Sequence, residues 1–278
     1  MLAALIPAAG LWAEESPAPT LQSAWKEAAS LLVNDSNRSF NQVQAGNPQE
    51  ERELAYGQAA TLINVQPKTN SNMDRAKEML NRVIAGGDSD DLTVSSRYLL
   101  ARIAQVHQLP PDDGEAIRLY SDLINKHPDH VLAQQALVKR ANLQFFSTES
   151  KTPLQDRYAL LLKEAGLVTE AEARRDYQML AFVAGQRLNR PARELLGHLI
   201  QVEATGVVRD RALADLYVRL GEFANLAGEK KMAIHYYQTF LNGFVRDTRR
   251  LIVREKLAEL GANPEAAQSQ DSNRKIKP

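Results

Sequence analysis

The chain has 278 residues, no cysteine, and 34 basic side chains against 34 acidic ones, so its formal charge is zero. Hydrophobic residues make up 44% and charged residues 24%, the composition of a chain that buries a core. These figures exclude a disulfide framework, a thiolate zinc site and a cysteine nucleophile, and the balanced charge argues against a nucleic-acid binder, which needs surplus Lys and Arg. No apolar run reaches the roughly 18 residues that a membrane-crossing helix needs.

Met1 to Ala13 is apolar and uncharged, followed by Glu14-Glu15-Ser16-Pro17. It resembles the apolar segment of a secretory signal, with small residues near its end but without the basic lead. Removal after Ala13, Ala9 or Gly10 is expected, which makes the protein periplasmic or secreted; a cytoplasmic chain with a frayed apolar terminus is the alternative. A bacterial lipid anchor needs a cysteine after the signal, and there is none.

Beyond that segment, apolar residues recur at three- and four-residue spacing and alternating runs are scarce, so the chain is read as all-α. About thirteen helices are expected from the start and stop signals, over 20–33, 36–45, 48–65, 72–86, 92–108, 112–127, 129–147, 153–165, 169–187, 189–204, 209–227, 229–244 and 247–260. Asn47-Pro48-Gln49-Glu50 places a capping amide before a proline, with a glutamate that can reach back; Thr152-Pro153 repeats the pattern, and Thr169-Glu170-Ala171-Glu172 reads as a capping box. Asp91 is expected to cap the helix that follows it, and Gly166 and Gly228 to end helices in the left-handed conformation. In the last helix Leu251, Ile252 and Leu257 are expected to face inward, with Arg249, Arg250, Arg254, Glu255 and Lys256 outward. The links are short, which implies antiparallel neighbours and a string of hairpins. The polar residues 263–278 read as a disordered tail.

Signals of chemistry are few. His127 and His130 flank Pro128, so they do not share a helical face as a metal-binding pair would. Asp88-Ser89-Asp90-Asp91 gathers carboxylates but lacks the spacing and closing glutamate of a calcium loop, and Asp112-Asp113-Gly114-Glu115 reads as helix capping. His107, His198 and His235 lie on expected helices with no local acid–nucleophile arrangement. No nucleophile elbow, phosphate loop or dinucleotide fingerprint is present. No catalytic residue, metal or cofactor is therefore expected.

Internal repetition is the sharper signal. Ala76, Ala116, Ala192 and Ala233 mark the second helix of successive hairpins at intervals of 40, 76 and 41, and the helix at 153–165 fills the slot inside the doubled interval. In the last hairpin, Tyr217-x2-Leu220-Gly221-x2-Ala224 is followed by Ala233-x3-Tyr237, with Gly228 at the turn. These residues resemble the tetratricopeptide repeat, a helix pair of about 34 residues. Val245 stands where that family has proline, and Phe240 where it has alanine. Leu100-x2-Ile103-Ala104-x2-His107, Ala116-x3-Tyr120 and Pro128 match in an earlier hairpin, and Asp176-x2-Met179-Leu180-x2-Val183 with Ala192-x3-Leu196 keeps the spacing in a third. The string from Tyr120 to His130, leading into Ala133 and Ala136-Leu137, is similar to the helix–proline–helix junction of bacterial envelope members of the family.

The resemblance implies a right-handed α-solenoid over 14–262, of about six hairpins and a C-terminal capping helix at 247–260. It implies a concave groove, lined by the first helix of each hairpin, that holds a protein or peptide. Carried onto this chain, the lining is Tyr98, Gln105, Gln135, Lys139, Asn142, Arg174, Tyr177, Val218, Glu222 and Asn225. For any one of them, plain solvent exposure is the competing reading. Val218 and Glu222 stand where chaperone-binding members carry their carboxylate clamp, so that clamp is not reproduced. The expected function is a non-enzymatic envelope scaffold, with homo-oligomer formation open. The alternatives are an enzyme or enzyme subunit acting on envelope polymers and a self-associating structural protein.

Overall fold

The computed structural model describes residues 18–87, 90–148 and 150–263. The expected signal segment, Asp88 and Ser89 of the acidic string, and the tail after Asn263 lie outside them. Thirteen α-helices and no strand occur among the described residues, and none of the helices is long and apolar enough to cross a membrane. The chain folds as two compact units that divide between Asp112 and Asp113.

The first unit contains α1 (Leu21–Ala29), α2 (Val33–Gln42), α3 (Pro48–Leu62), α4 (Asn70–Ala85) and α5 (Asp91–Arg102), and α5 runs into a π-helical turn at Ile103–His107. That turn bonds five residues apart, Gln108 N–H to Ile103 C=O at 3.0 Å, and Pro110-Pro111 then stop the helix because neither supplies an N–H. Each helix packs on its sequence neighbour. The α1–α2 pair, in which the repeat pattern is lost, still docks on α3. Phe40 lies over Gly57, where an added Cβ would come within 2.4 Å of the ring, and Trp25 meets Phe40 edge-on at 4.9 Å. Glycine at 57 thus lets an aromatic ring take the place of a side chain.

Arg52 of α3 ties this unit together. Its guanidinium donates to both Asp90 oxygens at 2.6 and 3.0 Å, to Thr93 Oγ1 at 3.1 Å and to the Val83 carbonyl at 3.3 Å. Asp90, not the expected Asp91, caps α5 by accepting from Thr93 N–H at 2.8 Å. The pair with Arg52 holds the Asp90 carboxyl well below the usual carboxylate range.

The second unit contains α6 (Asp113–Lys126), α7 (Val131–Phe146), α8 (Leu154–Glu164), α9 (Ala171–Arg187), α10 (Ala192–Ala204), α11 (Asp210–Leu226), α12 (Lys230–Gly243) and α13 (Arg250–Glu259). The division of the chain separates the two halves of the repeat match at Leu100–Pro128: α5 packs on α4, and α6 packs on α7. The match at Tyr217–Tyr237 forms one closely packed pair. There the Tyr237 ring seats on Gly221, with an added Cβ at 2.3 Å, while Leu220, Ala224, Ala233 and Tyr237 are all fully buried. Tyr237 thus fills the crossing inside the hairpin, and not the space between hairpins. The third match is out of phase. Asp176 and Val183 are exposed and Ala192 is only half-buried, because the close contact of α9 with α10 is made by Gly185 against Leu195 instead.

Several helix ends differ from expectation for local reasons. Pro153 is the residue before α8 and offers no capping oxygen, so Thr152 does not cap. The guanidinium of Arg157 reaches back instead, to the carbonyls of Thr152 at 2.7 Å, Phe145 at 3.1 Å and Ser147 at 2.7 Å, and to that of Ser150. At α9, buried Gln134 accepts from Thr169 N–H at 2.7 Å, and Glu170 caps in its place through Ala173 N–H at 2.7 Å and Glu172 N–H at 3.0 Å. Gly228 is left-handed at φ +78°, as expected, whereas Gly166 lies in a one-turn 3-10 segment and not in that region. On α13 the buried residues are Val253 and Leu257; Leu251 and Ile252 point to solvent, 67% and 54% exposed. A spacing of four sets the inward stripe at 253 and 257, which turns 251 and 252 away.

Candidate functional site

Three residues of the expected lining lie on α7. Gln135, Lys139 and Asn142 are spaced four and three apart, which puts them on one face of the helix. The opposite face is core: Ala133, Ala136, Leu137, Arg140 and Ala141 are buried. Arg140 is held there by Glu164 at 2.9 Å. Gln135 and Lys139 are half-buried and Asn142 is exposed, and none of their side chains makes a hydrogen bond or ion pair with another described residue. The stripe continues to Phe146, whose ring lies 5.7 Å beneath the Arg187 guanidinium of α9.

The other expected lining residues are engaged differently. Tyr177 is 1% exposed and its hydroxyl donates to the Leu161 carbonyl at 3.0 Å, so it belongs to the core and not to an accessible lining. Burial also pushes its phenol pKa up. Arg174 is exposed but folds back on its own helix end, donating to the carbonyls of Val168 at 3.2 Å and Thr169 at 2.8 Å. Val218 packs against the second unit's core, and Glu222 faces Lys256 of α13 at 3.7 Å. Asn225 is exposed on the last turn of α11. In the first unit, Tyr98 is half-buried with its pKa raised by that burial, and Gln105 accepts from Arg102 at 2.7 Å in the π-helical turn. The α7 stripe is the part of the lining with free polar groups side by side.

No family model, curated protein or solved structure matches the chain.

A polar cluster that local sequence does not signal joins α8, α9 and α10. The Tyr158 hydroxyl donates to Glu194 at 2.8 Å and its oxygen lies 3.1 Å from His198 Nε2, while His198 Nδ1 is 2.8 Å from Gln178 Oε1. Arg190 pairs with Glu194 at 2.9 Å. Its hydrogen bonds hold the Glu194 carboxyl down, whereas burial pushes the His198 imidazole below its ordinary value and the Tyr158 phenol above. Each charge is thus paired and the ring nitrogens are occupied. Tyr158 is 2% exposed, which keeps a substrate from its oxygen. Residues 158, 178, 194 and 198 come from three helices, and only the fold brings them together.

Of the two histidines that flank Pro128, His130 serves local structure. His130 Nδ1 accepts from Leu132 N–H at 3.1 Å and so caps α7. Among the described residues no group of three His, Cys, Asp or Glu side chains can hold a metal ion.

Proposed function

We propose that the chain is a non-enzymatic scaffold of tetratricopeptide type, a right-handed solenoid of antiparallel hairpins in the cell envelope that binds a protein or peptide segment. The observation that carries the binding surface is the α7 stripe: Gln135, Lys139 and Asn142 offer amide and ammonium groups that no other described residue uses. Amides at helical spacing can bond an extended or helical segment through its backbone, and the ammonium favours an acidic partner. The repeat-type reading is supported by the α11–α12 crossing, where Gly221, Ala233 and Tyr237 stand at the family's offsets and interlock. The envelope location rests on Met1–Ala13.

A photo-crosslinking residue at 142, with a second at exposed position 201 as control, tests the surface in the native cell. The expected result is one envelope protein joined at 142 only, and lost when Gln135 and Lys139 are both changed to alanine. Equal crosslinking at both positions, or a partner that survives the double substitution, would refute the surface. Turnover of an envelope polymer by the purified protein would refute the non-enzymatic role.

A further inference from the structure

Away from the α7 stripe, the second unit holds a cavity of about 650 Å³ between the first turns of α11 and the segment joining α12 to α13. It is lined by Arg211, Ala212, Asp215, Arg246, Asp247, Thr248 and Arg249. Five of the seven are charged. Arg249 is committed: it donates to Asp215 at 2.6 Å and to the two Asp247 oxygens at 2.9 and 2.8 Å, and its guanidinium lies 5.5 Å over the Phe240 ring. The carboxylates are committed too. The second Asp215 oxygen accepts from Arg219 at 3.2 Å, and Asp247 Oδ1 also takes the Arg249 N–H at 2.9 Å. Arg211 and Arg246 are exposed and make no hydrogen bond or ion pair among the described residues, although the charge of Arg211 helps hold the nearby Asp247 carboxyl down. The Thr248 hydroxyl is likewise without a described partner. Two guanidinium groups with no ion pair and a hydroxyl with no hydrogen bond among the described residues therefore share one cavity.

We propose that this cavity binds the phosphate group of a small soluble ligand. A guanidinium is a planar fork of N–H donors matched to two oxygens of an oxyanion, and it keeps its charge at every physiological pH. A phosphate monoester carries about −1.5 to −2 at neutral pH, which balances two guanidinium groups better than a single carboxylate does. Arg211 and Arg246 supply the forks, and Thr248 supplies a further donor to the third oxygen. Arg249 and Arg219 offset the charge of Asp215 and Asp247, which also line the cavity. Six of the seven lining residues are polar or charged, which suits a hydrated head group.

The probe is inorganic phosphate, titrated calorimetrically into the full chain at fixed ionic strength, with acetate as the comparison anion. The expected result is saturable binding of phosphate at one site, at least about tenfold weaker for acetate, and at least about tenfold weaker in Arg211→Gln/Arg246→Gln. Both arginines are exposed, so the double variant should unfold in chloride at the wild-type midpoint. Thr248→Val gives a second variant, with a smaller loss expected. Equal responses to phosphate and acetate, no saturable binding, or unchanged binding in the double variant would overturn the site. The α7 variant Gln135→Ala/Lys139→Ala should bind phosphate normally, so failure of the scaffold reading and failure of this one are separable.

Discussion

Replacing Gly221 with alanine tests a close helix crossing made at a glycine. The new Cβ would lie 2.3, 2.5 and 2.9 Å from Cε1, Cδ1 and Cζ of Tyr237, against an ordinary carbon–carbon contact of about 3.5–4.0 Å. The ring must withdraw by more than about 1 Å. It has nowhere to go, since Tyr237 is fully buried in a cluster with Leu220, Ala224 and Phe240. Overpacking of this kind costs about 1–3 kcal/mol. Alanine also gains about 1 kcal/mol of helix propensity over glycine, so the net loss is about 0–2 kcal/mol. Gly197 separates the two effects: it is also mid-helix, in α10, but an added Cβ there meets nothing within 4 Å. Gly197→Ala should therefore stabilise by about 1 kcal/mol, leaving a gap of about 1–3 kcal/mol between the variants. Urea unfolding by far-UV circular dichroism, with hydrogen exchange of the α11 and α12 amides, measures that gap. If Gly221→Ala stabilises as much as Gly197→Ala, the ring yields freely and the packing argument is wrong.

Two tyrosines make a second pair. The Tyr237 hydroxyl is buried without a hydrogen-bond partner among the described residues, so Tyr237→Phe should keep stability or raise it by up to about 1 kcal/mol in urea unfolding. Tyr177→Phe removes a bond to the Leu161 carbonyl at 3.0 Å and should lower stability by about 1 kcal/mol. Arg157→Lys gives up the fork that gathers the carbonyls of Phe145, Ser147 and Thr152, and limited proteolysis should then cut faster between 147 and 153. Asp247 responds to acid. Its hydrogen bonds with Arg249 lower its pKa from 3.8 to about 2, so its contribution to stability is present above pH 3.8 and is lost as the pH falls toward about 2. Melting curves of Asp247→Asn across that window should show a weaker pH dependence than wild type; an unchanged dependence would mean that the pair contributes nothing there.

Helix content and order were legible residue by residue, because a three- and four-residue apolar rhythm interrupted by Pro, Gly and capping residues is a local property of the chain. The thirteen expected spans coincide with α1 to α13 to within about four residues at each end, once the π-helical turn is counted with α5. Gly221 and Ala233 were legible as small residues at a close crossing, but that the Tyr237 ring fills that crossing was not. Caps that depend on partners far along the chain were not. Asp90, the cap of α5, is gripped by Arg52, 38 residues earlier, and the Thr169 N–H beside the Glu170 cap is taken by Gln134, 35 residues earlier.

For the binding surface, helical spacing put Gln135, Lys139 and Asn142 on one face, and that much is a local matter. Which faces stay open is a different question, answered by what packs against each helix. Tyr177 went inward against Leu161 of α8, and Glu222 came to face Lys256 of α13. The Tyr158–Glu194–His198 cluster and the Arg211–Arg246 cavity are likewise assembled from separate helices and loops. The sequence by itself determined the helices, because hydrogen bonding and side-chain rhythm act within a few residues. Only the tertiary structure decided which polar groups are satisfied and which remain free, because that depends on partners brought together from distant parts of the chain.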